Sequence, residues 1–159
     1  MKARTYQQEA VNSVLQDFRD EYQSVLVVMA TGTGKSFVLA ELASLAQKGR
    51  VLVIAHREEI IHQLAKMLRV VSDKEVGIEM ADWRAQTRWN RPQIVVATIQ
   101  TLMANGCYRL EELVDDPGEW SMTIVDEAHH SSADSYVRMI EHMQQNDSHR
   151  VLGVTATPD

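Results

Sequence analysis

The stretch that most constrains this chain is an apolar run that stops at a glycine-spaced loop and continues as an amphipathic segment. It reads V-L-V-V-M-A-T-G-T-G-K-S over residues 25–36. Glycines let the backbone curl so that successive N–H groups converge on an anion, and the dipole of a following helix adds partial positive charge. The pattern therefore predicts a phosphate-binding loop between a buried strand and a helix N-terminus.

Within this loop, Lys35 can reach the β- and γ-phosphates of a nucleoside triphosphate, and the Ser36 hydroxyl can bind Mg²⁺. The other predicted nucleotide contacts are the loop residues Thr31, Gly32, Thr33 and Gly34. Met29 stands where the pattern G-x-x-x-x-G-K-[ST] has its first glycine, so we expect its side chain to point away from the phosphates and into the core. The alternative is a glycine-containing turn with an unrelated lysine.

Five short apolar runs, rich in β-branched residues and without alternation, indicate strands buried on both faces. They lie at residues 25–28, 51–54, 94–97, 122–125 and 151–154, with helical patterns between them. Strands that alternate with helices imply right-handed crossovers and a parallel sheet with helices on both faces. We therefore expect one three-layer α/β/α domain over residues 1–159, with ligands beyond the carboxyl ends of the strands.

Composition narrows the class of protein further. No apolar run approaches the ~20 residues needed to span a bilayer, the N-terminus lacks the apolar region of a signal peptide, and Cys107 is the single cysteine. We therefore expect a cytoplasmic, intracellular domain that makes no contact with a membrane. The net charge of −6 argues against a broad basic surface, although a narrow groove with a few arginines is compatible with it.

An acidic pair, Asp126 and Glu127, follows the fourth apolar run. Carboxylates at the tip of a buried strand are costly unless they act on a cation or a water molecule. Beside a phosphate-binding loop, Asp126 is placed to hold Mg²⁺, and Glu127 can polarise a water for in-line attack on the γ-phosphate. Taken alone the pair could be a strand-ending turn, but together the two motifs predict hydrolysis of a nucleoside triphosphate.

Six motifs in order make the chain resemble the DEAD/DEAH-box helicases and translocases of superfamily 2. They are R-T-Y-Q at 4–7, A-T-G-T-G-K-S at 30–36, A-H-R-E-E at 55–59, A-T-I-Q-T-L at 97–102, D-E-A-H at 126–129 and T-A-T-P at 155–158. The resemblance implies a RecA-like P-loop NTPase fold that uses ATP and Mg²⁺. The style of the motifs is most similar to the type III restriction subunit and excision-repair branch, which favours DNA over RNA as partner.

The resemblance also implies roles around the nucleotide. Gln7, together with Arg4, would contact the adenine edge, and the alternative is a solvated helix start. His129 would act in catalysis by linking the hydrolysis site to the last motif or to a second domain. Thr155 and Thr157 would couple the state of the γ-phosphate to movement along nucleic acid, and their alternative role is turn capping.

Three residues would contact the phosphate backbone of a nucleic-acid strand if the resemblance holds: Arg57, Thr98 and Gln100. For Arg57 the alternative is a surface arginine paired with Glu58 or Glu59. No further metal site is expected, because the adjacent histidines 129 and 130 would point in different directions and no Cys/His set with ligand spacing accompanies them.

A segment with two tryptophans among arginines, residues 83–89, permits two interpretations. Interleaved aromatic and arginine side chains suit single-stranded nucleic acid. The interpretation that we favour from sequence is a surface excursion whose tryptophans pack back on the core.

In the resembled superfamily, the motor is a pair of RecA-like domains, and the second supplies an arginine finger that this chain lacks. We therefore expect residues 1–159 to be the ATP-binding domain of an ATP-dependent helicase or translocase, nearly inactive alone. One alternative is a nucleotide-gated nucleic-acid-binding module without efficient catalysis, although Lys35, Asp126 and Glu127 are all intact. Others are the motor of a restriction or remodelling complex that translocates without unwinding, or a small-molecule kinase, which would not explain the Arg57 loop.

Overall fold

A computed structural model describes residues 3–130 and 134–156 of the chain. Within these ranges, six parallel strands form one sheet in the order β1-β6-β5-β2-β4-β3. The strands are β1 Ser24–Met29, β2 Arg50–Ala55, β3 Val76–Glu79, β4 Ile94–Thr98, β5 Trp120–Asp126 and β6 Arg150–Ala156. The order of the strands leaves β6 as the only strand between β1 and β5, the two strands that carry the predicted nucleotide motifs.

Helices cover both faces of the sheet. They are α1 Thr5–Arg19, α2 Lys35–Leu45, α3 Glu58–Val71, α4 Ile99–Leu113 and α5 Asp134–Met143, with single 3-10 turns at Pro117–Glu119 and Ala128–His130. Helices α1, α2 and α3 contribute to one apolar cluster, and α4 and α5 to the other. The predicted three-layer α/β/α architecture is confirmed. In the described residues, no helix is long and apolar enough to cross a membrane.

The central strand β2 explains why the apolar runs do not alternate. All six of its residues are buried, because Val51 and Val53 enter the cluster beneath α1–α3 while Leu52 and Ile54 enter the cluster beneath α4 and α5. A strand covered on both faces needs apolar side chains at every position. Met29 also lies in the first cluster, which confirms the expectation that its side chain is part of the core.

All five predicted strands are present, but the sequence reasoning missed β3. This strand has four residues, V-G-I-E, and lies outside the five apolar runs. The position of Gly77 has no room for a side chain, because a Cβ there would lie 2.7 Å from Pro92 and 2.8 Å from the carbonyl oxygen of Ala85. Glu79 is buried, and Arg109 forms an ion pair with it. A short strand that holds a glycine and a glutamate gives little apolar signal.

Helix α4 is interrupted within its span. Ala104 has an extended conformation, and the next three residues, Asn105, Gly106 and Cys107, have positive φ angles. Because these four residues are not helical, α4 consists of two helical pieces. The left-handed region is costly for the two of them, Asn105 and Cys107, that have both a side chain and a positive φ angle.

His149 is buried beside the start of β5. Its Nδ1 lies 2.9 Å from the carbonyl oxygen of Trp120 and its Nε2 lies 2.9 Å from Oγ1 of Thr123. A carbonyl only accepts, so Nδ1–H donates to Trp120 and the Thr123 hydroxyl donates to Nε2, which describes a neutral imidazole. Burial lowers the pKa of His149, opposed by the hydrogen bond to Trp120.

This pKa shift predicts that acid destabilises the fold. Below an unfolded-state pKa near 6.5 the unfolded chain binds a proton at His149 that the folded chain does not. The free energy of unfolding should therefore fall as the pH drops from about 6.5 through the lower folded-state pKa. Urea denaturation at pH 7.5 and pH 5.5 measures this loss.

The variant His149→Gln removes the titrating group, so it should lose less stability than the natural chain between these two pH values. Equal losses in both proteins would show that His149 does not cause the acid sensitivity.

Candidate nucleotide site

The loop between β1 and α2 has the conformation of an anion cradle. Gly32 and Gly34 have φ angles of +76° and +84°, which favour glycine. Gly34 precedes α2 and offers no side-chain cap. Among the described residues, no protein group accepts a hydrogen bond from the N–H of Lys35 or Ser36. Unsatisfied N–H groups at a helix N-terminus beside a lysine suit a phosphate.

The first turn of α1 holds this loop in place. Gln7 is 7% exposed, and its Nε2 donates to the carbonyl oxygen of Thr33 at 3.0 Å while its Oε1 accepts from the N–H of Arg4 at 3.0 Å. The Tyr6 hydroxyl donates to the same Thr33 carbonyl at 2.8 Å. Gln7 is therefore packed against the loop, which excludes the solvated helix start. The adenine contacts of Gln7 and Arg4 stay predictions.

Sequence reasoning gave no role to Tyr6. The only signal was its place inside the R-T-Y-Q motif, because the position of the Thr33 carbonyl is a property of the folded loop. The structure adds Tyr6 to the residues that fix the loop, through a contact between positions 27 apart in sequence.

The two nucleotide motifs meet through one ion pair. Lys35 Nζ lies 2.5 Å from Oε1 of Glu127, a contact between residues 92 positions apart. Glu127 follows the end of β5 and has a φ angle of 52°, an uncommon left-handed conformation for a residue with a side chain. Its N–H donates to Oδ1 of Asp126 at 3.0 Å. Because only β6 lies between β1 and β5 in the described sheet, the loops that carry Lys35 and Glu127 are close together.

The two carboxyl groups have opposite pKa shifts. Burial raises the pKa of Asp126, and the neighbouring charge of Glu127 raises it further. Burial also acts to raise the pKa of Glu127, but the hydrogen bond and charge of Lys35 outweigh it, with a smaller contribution from His129, so the pKa is lowered. Glu127 is therefore ionised at neutral pH. Ionisation of the buried Asp126 is unfavourable, and a bound cation would stabilise its charged form.

The donor atoms at this site fit Mg²⁺ but do not form a closed metal cage. The carboxylate of Asp126 and the hydroxyl of Ser36 offer hard oxygen ligands. Among the residues that the structure describes, no group of three or more His, Cys, Asp or Glu could hold a metal. Mg²⁺ commonly completes its shell with water and phosphate oxygens, so the donor set suits a metal that arrives with a nucleotide.

His129 joins the carboxyl ends of β5 and β6. Its Nδ1 lies 2.6 Å from Oγ1 of Thr155 and 3.3 Å from Oε2 of Glu127. Thr155 is buried at the end of β6. The structure thus connects the acidic pair to the first threonine of the last motif, whereas Thr157 lies outside the described residues.

The predicted nucleic-acid residues lie at the same edge of the sheet but differ in availability. Arg57 is the residue before α3. It lines an open groove together with Glu58, Glu59 and Ile60. In the described part of the chain, Arg57 forms no ion pair with Glu58 or Glu59. That alternative therefore has no structural support.

Thr98 and Gln100 lie at the junction of β4 and α4. Thr98 is 3% exposed, and its Oγ1 accepts from the N–H of Thr101 at 3.3 Å as the cap of α4. Gln100 is exposed and donates from Nε2 to the carbonyl oxygen of His56 at 3.1 Å. Gln100 thus lies on the surface next to the Arg57 loop, while the hydroxyl of Thr98 is already occupied.

The expectation that the tryptophans of residues 83–89 pack back on the core is wrong. Trp83 is 56% exposed and Trp89 is 88% exposed. The buried residue of the segment is Ala85. The side chains of Arg84 and Gln86 donate hydrogen bonds to Glu112 of α4. A small side chain and a few hydrogen bonds anchor the segment, so its tryptophans are not needed for packing.

A cavity of about 570 Å³ lies beside this segment rather than at the nucleotide loop. Arg84 and Arg91 line it, but Glu112 lies 2.5 Å from the first and Asp115 lies 2.7 Å from the second. Because Arg84 and Arg91 are already paired with carboxylates, we interpret the cavity as the surroundings of a structural ion-pair cluster and assign it no ligand.

The fold and the site together define a P-loop domain, because the phosphate loop ends β1, the acidic pair ends β5, and both lie at the carboxyl edge of one parallel sheet. The family model described as type III restriction enzyme, res subunit, matches residues 1–159, so the chain belongs to that family.

Three relatives show how the chain compares with longer proteins. It is 28% identical to a Saccharomyces cerevisiae protein named as ATP-dependent helicase IRC3, over 97% of the chain and 23% of the relative. It is 27% identical to the ATP-dependent DNA helicase MPH1 of Coccidioides immitis, over 86% and 13%. It is 25% identical to a Methanocaldococcus jannaschii protein named as ATP-dependent RNA helicase MJ1505, over 99% and 20%. The chain thus spans about a quarter or less of each relative.

Solved structures confirm the RecA-like fold. The UvsW helicase from bacteriophage T4 matches with a TM-score of 0.74 and 21% identity over 98% of this chain and 52% of that one. The Pyrococcus furiosus Hef helicase domain matches with a TM-score of 0.72 and 24% identity over 99% and 33%. These identities are low, so the two structures establish the fold alone.

The close approach of Gly34 to Gln7 predicts a severe effect of a single methyl group. A Cβ at Gly34 would collide with Nε2 of Gln7, the atom that donates to the Thr33 carbonyl, and the left-handed backbone would cost about 1–2 kcal/mol for alanine. We expect Gly34→Ala to displace the loop and weaken nucleotide binding by more than about tenfold. Titration with ADP and Mg²⁺, followed calorimetrically, measures the change.

The matched control is Gly106→Ala in the break of α4. Gly106 has a similar φ of +73°, with no atom within 4 Å of an added Cβ. It should lose a comparable amount of stability from strain and retain nucleotide affinity. Equal affinity losses in both variants would mean that strain, not the loop contact, causes the effect.

Proposed function

We propose that this chain is the ATP-binding domain of an ATP-dependent helicase or translocase that acts on DNA. It would hydrolyse ATP efficiently only when paired with a second RecA-like domain. The single observation that supports this most strongly is the ion pair between Lys35 and Glu127, because it brings a phosphate-binding lysine and a carboxylate suited to activate water into one site.

ATP binding would exchange the partners of Lys35. The N–H groups at the start of α2 would hold the phosphates, and Lys35 would move from Glu127 to the β- and γ-phosphates. Glu127 would then be free to orient a water for attack on the γ-phosphate, with its carboxylate as the proton acceptor. Asp126 and Ser36 would hold Mg²⁺, which supplies charge neutralisation at the transferred phosphoryl group.

Nucleic acid would cross the same edge of the sheet. Arg57 and Gln100 are the exposed members of the predicted contact set, and Thr98 would position α4 rather than touch the strand. The contact from His129 to Thr155 supports a route by which the state of the γ-phosphate reaches the end of β6. The restriction family and the DNA helicase relative favour DNA, and the archaeal relative named as an RNA helicase makes RNA the polymer to compare.

The experiment uses the protein with its native downstream sequence and measures ATP hydrolysis alone, with DNA and with RNA. We expect stimulation by DNA that exceeds stimulation by RNA. Lys35→Ala should lose ATP binding, because it removes the charge that faces the phosphates. Glu127→Gln should retain binding and lose hydrolysis, because it keeps the size of the side chain and removes the base.

Two exposed residues serve as matched controls, Lys48→Ala and Glu111→Gln. Both should retain stimulated hydrolysis. Absence of stimulation by either polymer would contradict the motor, and hydrolysis that survives Glu127→Gln would contradict the assigned base. Binding of ATP without hydrolysis in the natural protein would favour the nucleotide-gated binding module.

A second expectation concerns the 159-residue chain by itself. An arginine finger from another domain contributes about 10³–10⁵ in rate, so the isolated chain should bind ATP and Mg²⁺ weakly and hydrolyse it near background. Single-turnover hydrolysis with excess chain measures the rate. Fast hydrolysis that Glu127→Gln abolishes would show that this chain needs no second domain for catalysis.

A further inference from the structure

Trp83 lies on a tight turn directly beyond the carboxyl end of β3. The chain leaves β3 at Glu79 and reverses through Met80 and Trp83, which exchange two backbone hydrogen bonds. The N–H of Met80 donates to the carbonyl oxygen of Trp83 at 3.1 Å, and the N–H of Trp83 donates to the carbonyl oxygen of Met80 at 2.7 Å. The turn therefore belongs to the sheet edge that carries Arg57 and Gln100.

Side chains from α4 fix this turn. The N–H of Ala81 donates to Oγ1 of Thr101 at 3.2 Å. Arg109 donates to the carbonyl oxygens of Ala81 and Trp83, the second at 2.8 Å, and is itself paired with the buried Glu79. An aromatic residue on a fixed turn loses little conformational freedom when it binds a partner.

His62 supports one edge of the Trp83 ring. The two rings are 5.6 Å apart between centroids, with an angle of 73° between their planes. His62 belongs to α3, the helix that begins directly after Arg57. Trp83 is nevertheless 56% exposed. Its ring is thus held edge-on and still accessible.

The sheet order aligns this ring with the proposed nucleic-acid path. Strands β2, β4 and β3 are consecutive, so Arg57, Gln100 and Trp83 follow three neighbouring strands. Neighbouring strands lie about 4.8 Å apart, so the tip of β3 is about 10 Å from the tip of β2. A nucleic-acid strand that crosses the tips of β2 and β4 would reach Trp83 within a few nucleotides.

The charges near Trp83 favour a base over a phosphate as its ligand. Asp82 is exposed directly beside it, and the guanidinium of Arg84 is paired with Glu112. We propose that Trp83, supported by His62, is a stacking site for an unpaired base of the strand that crosses β2 and β4. This inference rests on the proposed function, because it extends the same nucleic-acid path.

Trp89 is an internal comparison for this proposal. It belongs to the same segment and is 88% exposed. Its turn, Thr87–Asn90, is tied by a 2.6 Å contact from Asn90 Nδ2 to Oε1 of Glu75, the residue before β3. Trp89 therefore lies at the amino end of the sheet, away from the proposed path.

The experiment measures binding of a single-stranded oligothymidine to the 159-residue chain by fluorescence anisotropy. Stacking predicts that Trp83→Ala binds about tenfold more weakly, that Trp83→Phe retains most of the affinity, and that Trp89→Ala is unchanged. An oligonucleotide with abasic sites should show no difference between the natural chain and Trp83→Ala. Thermal unfolding of each variant verifies that it is folded.

Intrinsic fluorescence identifies the ring directly, because Trp120 is buried and unchanged. The oligonucleotide should quench the tryptophan fluorescence of Trp89→Phe, which retains Trp83. It should leave the fluorescence of Trp83→Phe unchanged. Equal affinity of Trp83→Ala and the natural chain would overturn the stacking site, as would equal quenching by a duplex.

The variant Arg57→Ala separates this failure from failure of the proposed function. If it weakens binding while Trp83→Ala does not, the nucleic-acid path stands and the stacking site falls. If the natural chain binds neither single-stranded DNA nor RNA, both proposals fall.

Discussion

The parallel sheet, buried on both faces, is the constraint on which the rest of this structure depends. All six positions of its central strand β2 are buried, and apolar side chains occupy every one after Arg50, so most polar groups lie in the loops at the strand ends. In the part of the chain that the structure describes, all strands end at one edge and β6 alone separates β1 from β5. Lys35 and Glu127, far apart in sequence, therefore meet without any local signal between them. The chemistry of the site follows from strand order as much as from the motifs.

Much of the fold was predictable because a doubly covered strand gives a strong apolar signal. Five strands and both helical layers follow from it. Strand β3 was missed because it has four residues, one of which is Gly77 and another the buried Glu79. What stabilises it lies elsewhere in sequence: the ion pair with Arg109 and the close approach of Pro92 and Ala85. Such contacts between distant positions are invisible to a reading of local periodicity.

The candidate site was predictable in its residues and less so in their contacts. The phosphate loop and the acidic pair can be recognised from their residue types and the spacing between them. By contrast, the engagement of Gln7 with a carbonyl of the loop and the occupied hydroxyl of Thr98 depend on folded geometry. Trp83 and Trp89 were misjudged because an aromatic residue is more often buried, and only the structure reveals that Ala85 anchors their segment.

The carbonyl of Thr33 accepts hydrogen bonds from both Tyr6 and Gln7, and this shared acceptor joins the start of α1 to the phosphate loop. A group bound at the start of α1 and a phosphate bound in the loop would act on the same few atoms. Linkage then requires reciprocity: whatever free energy the phosphate spends in ordering the loop also changes the affinity for the base, by the same amount. Discrimination among nucleobases and discrimination between diphosphate and triphosphate would be one coupled property of this domain.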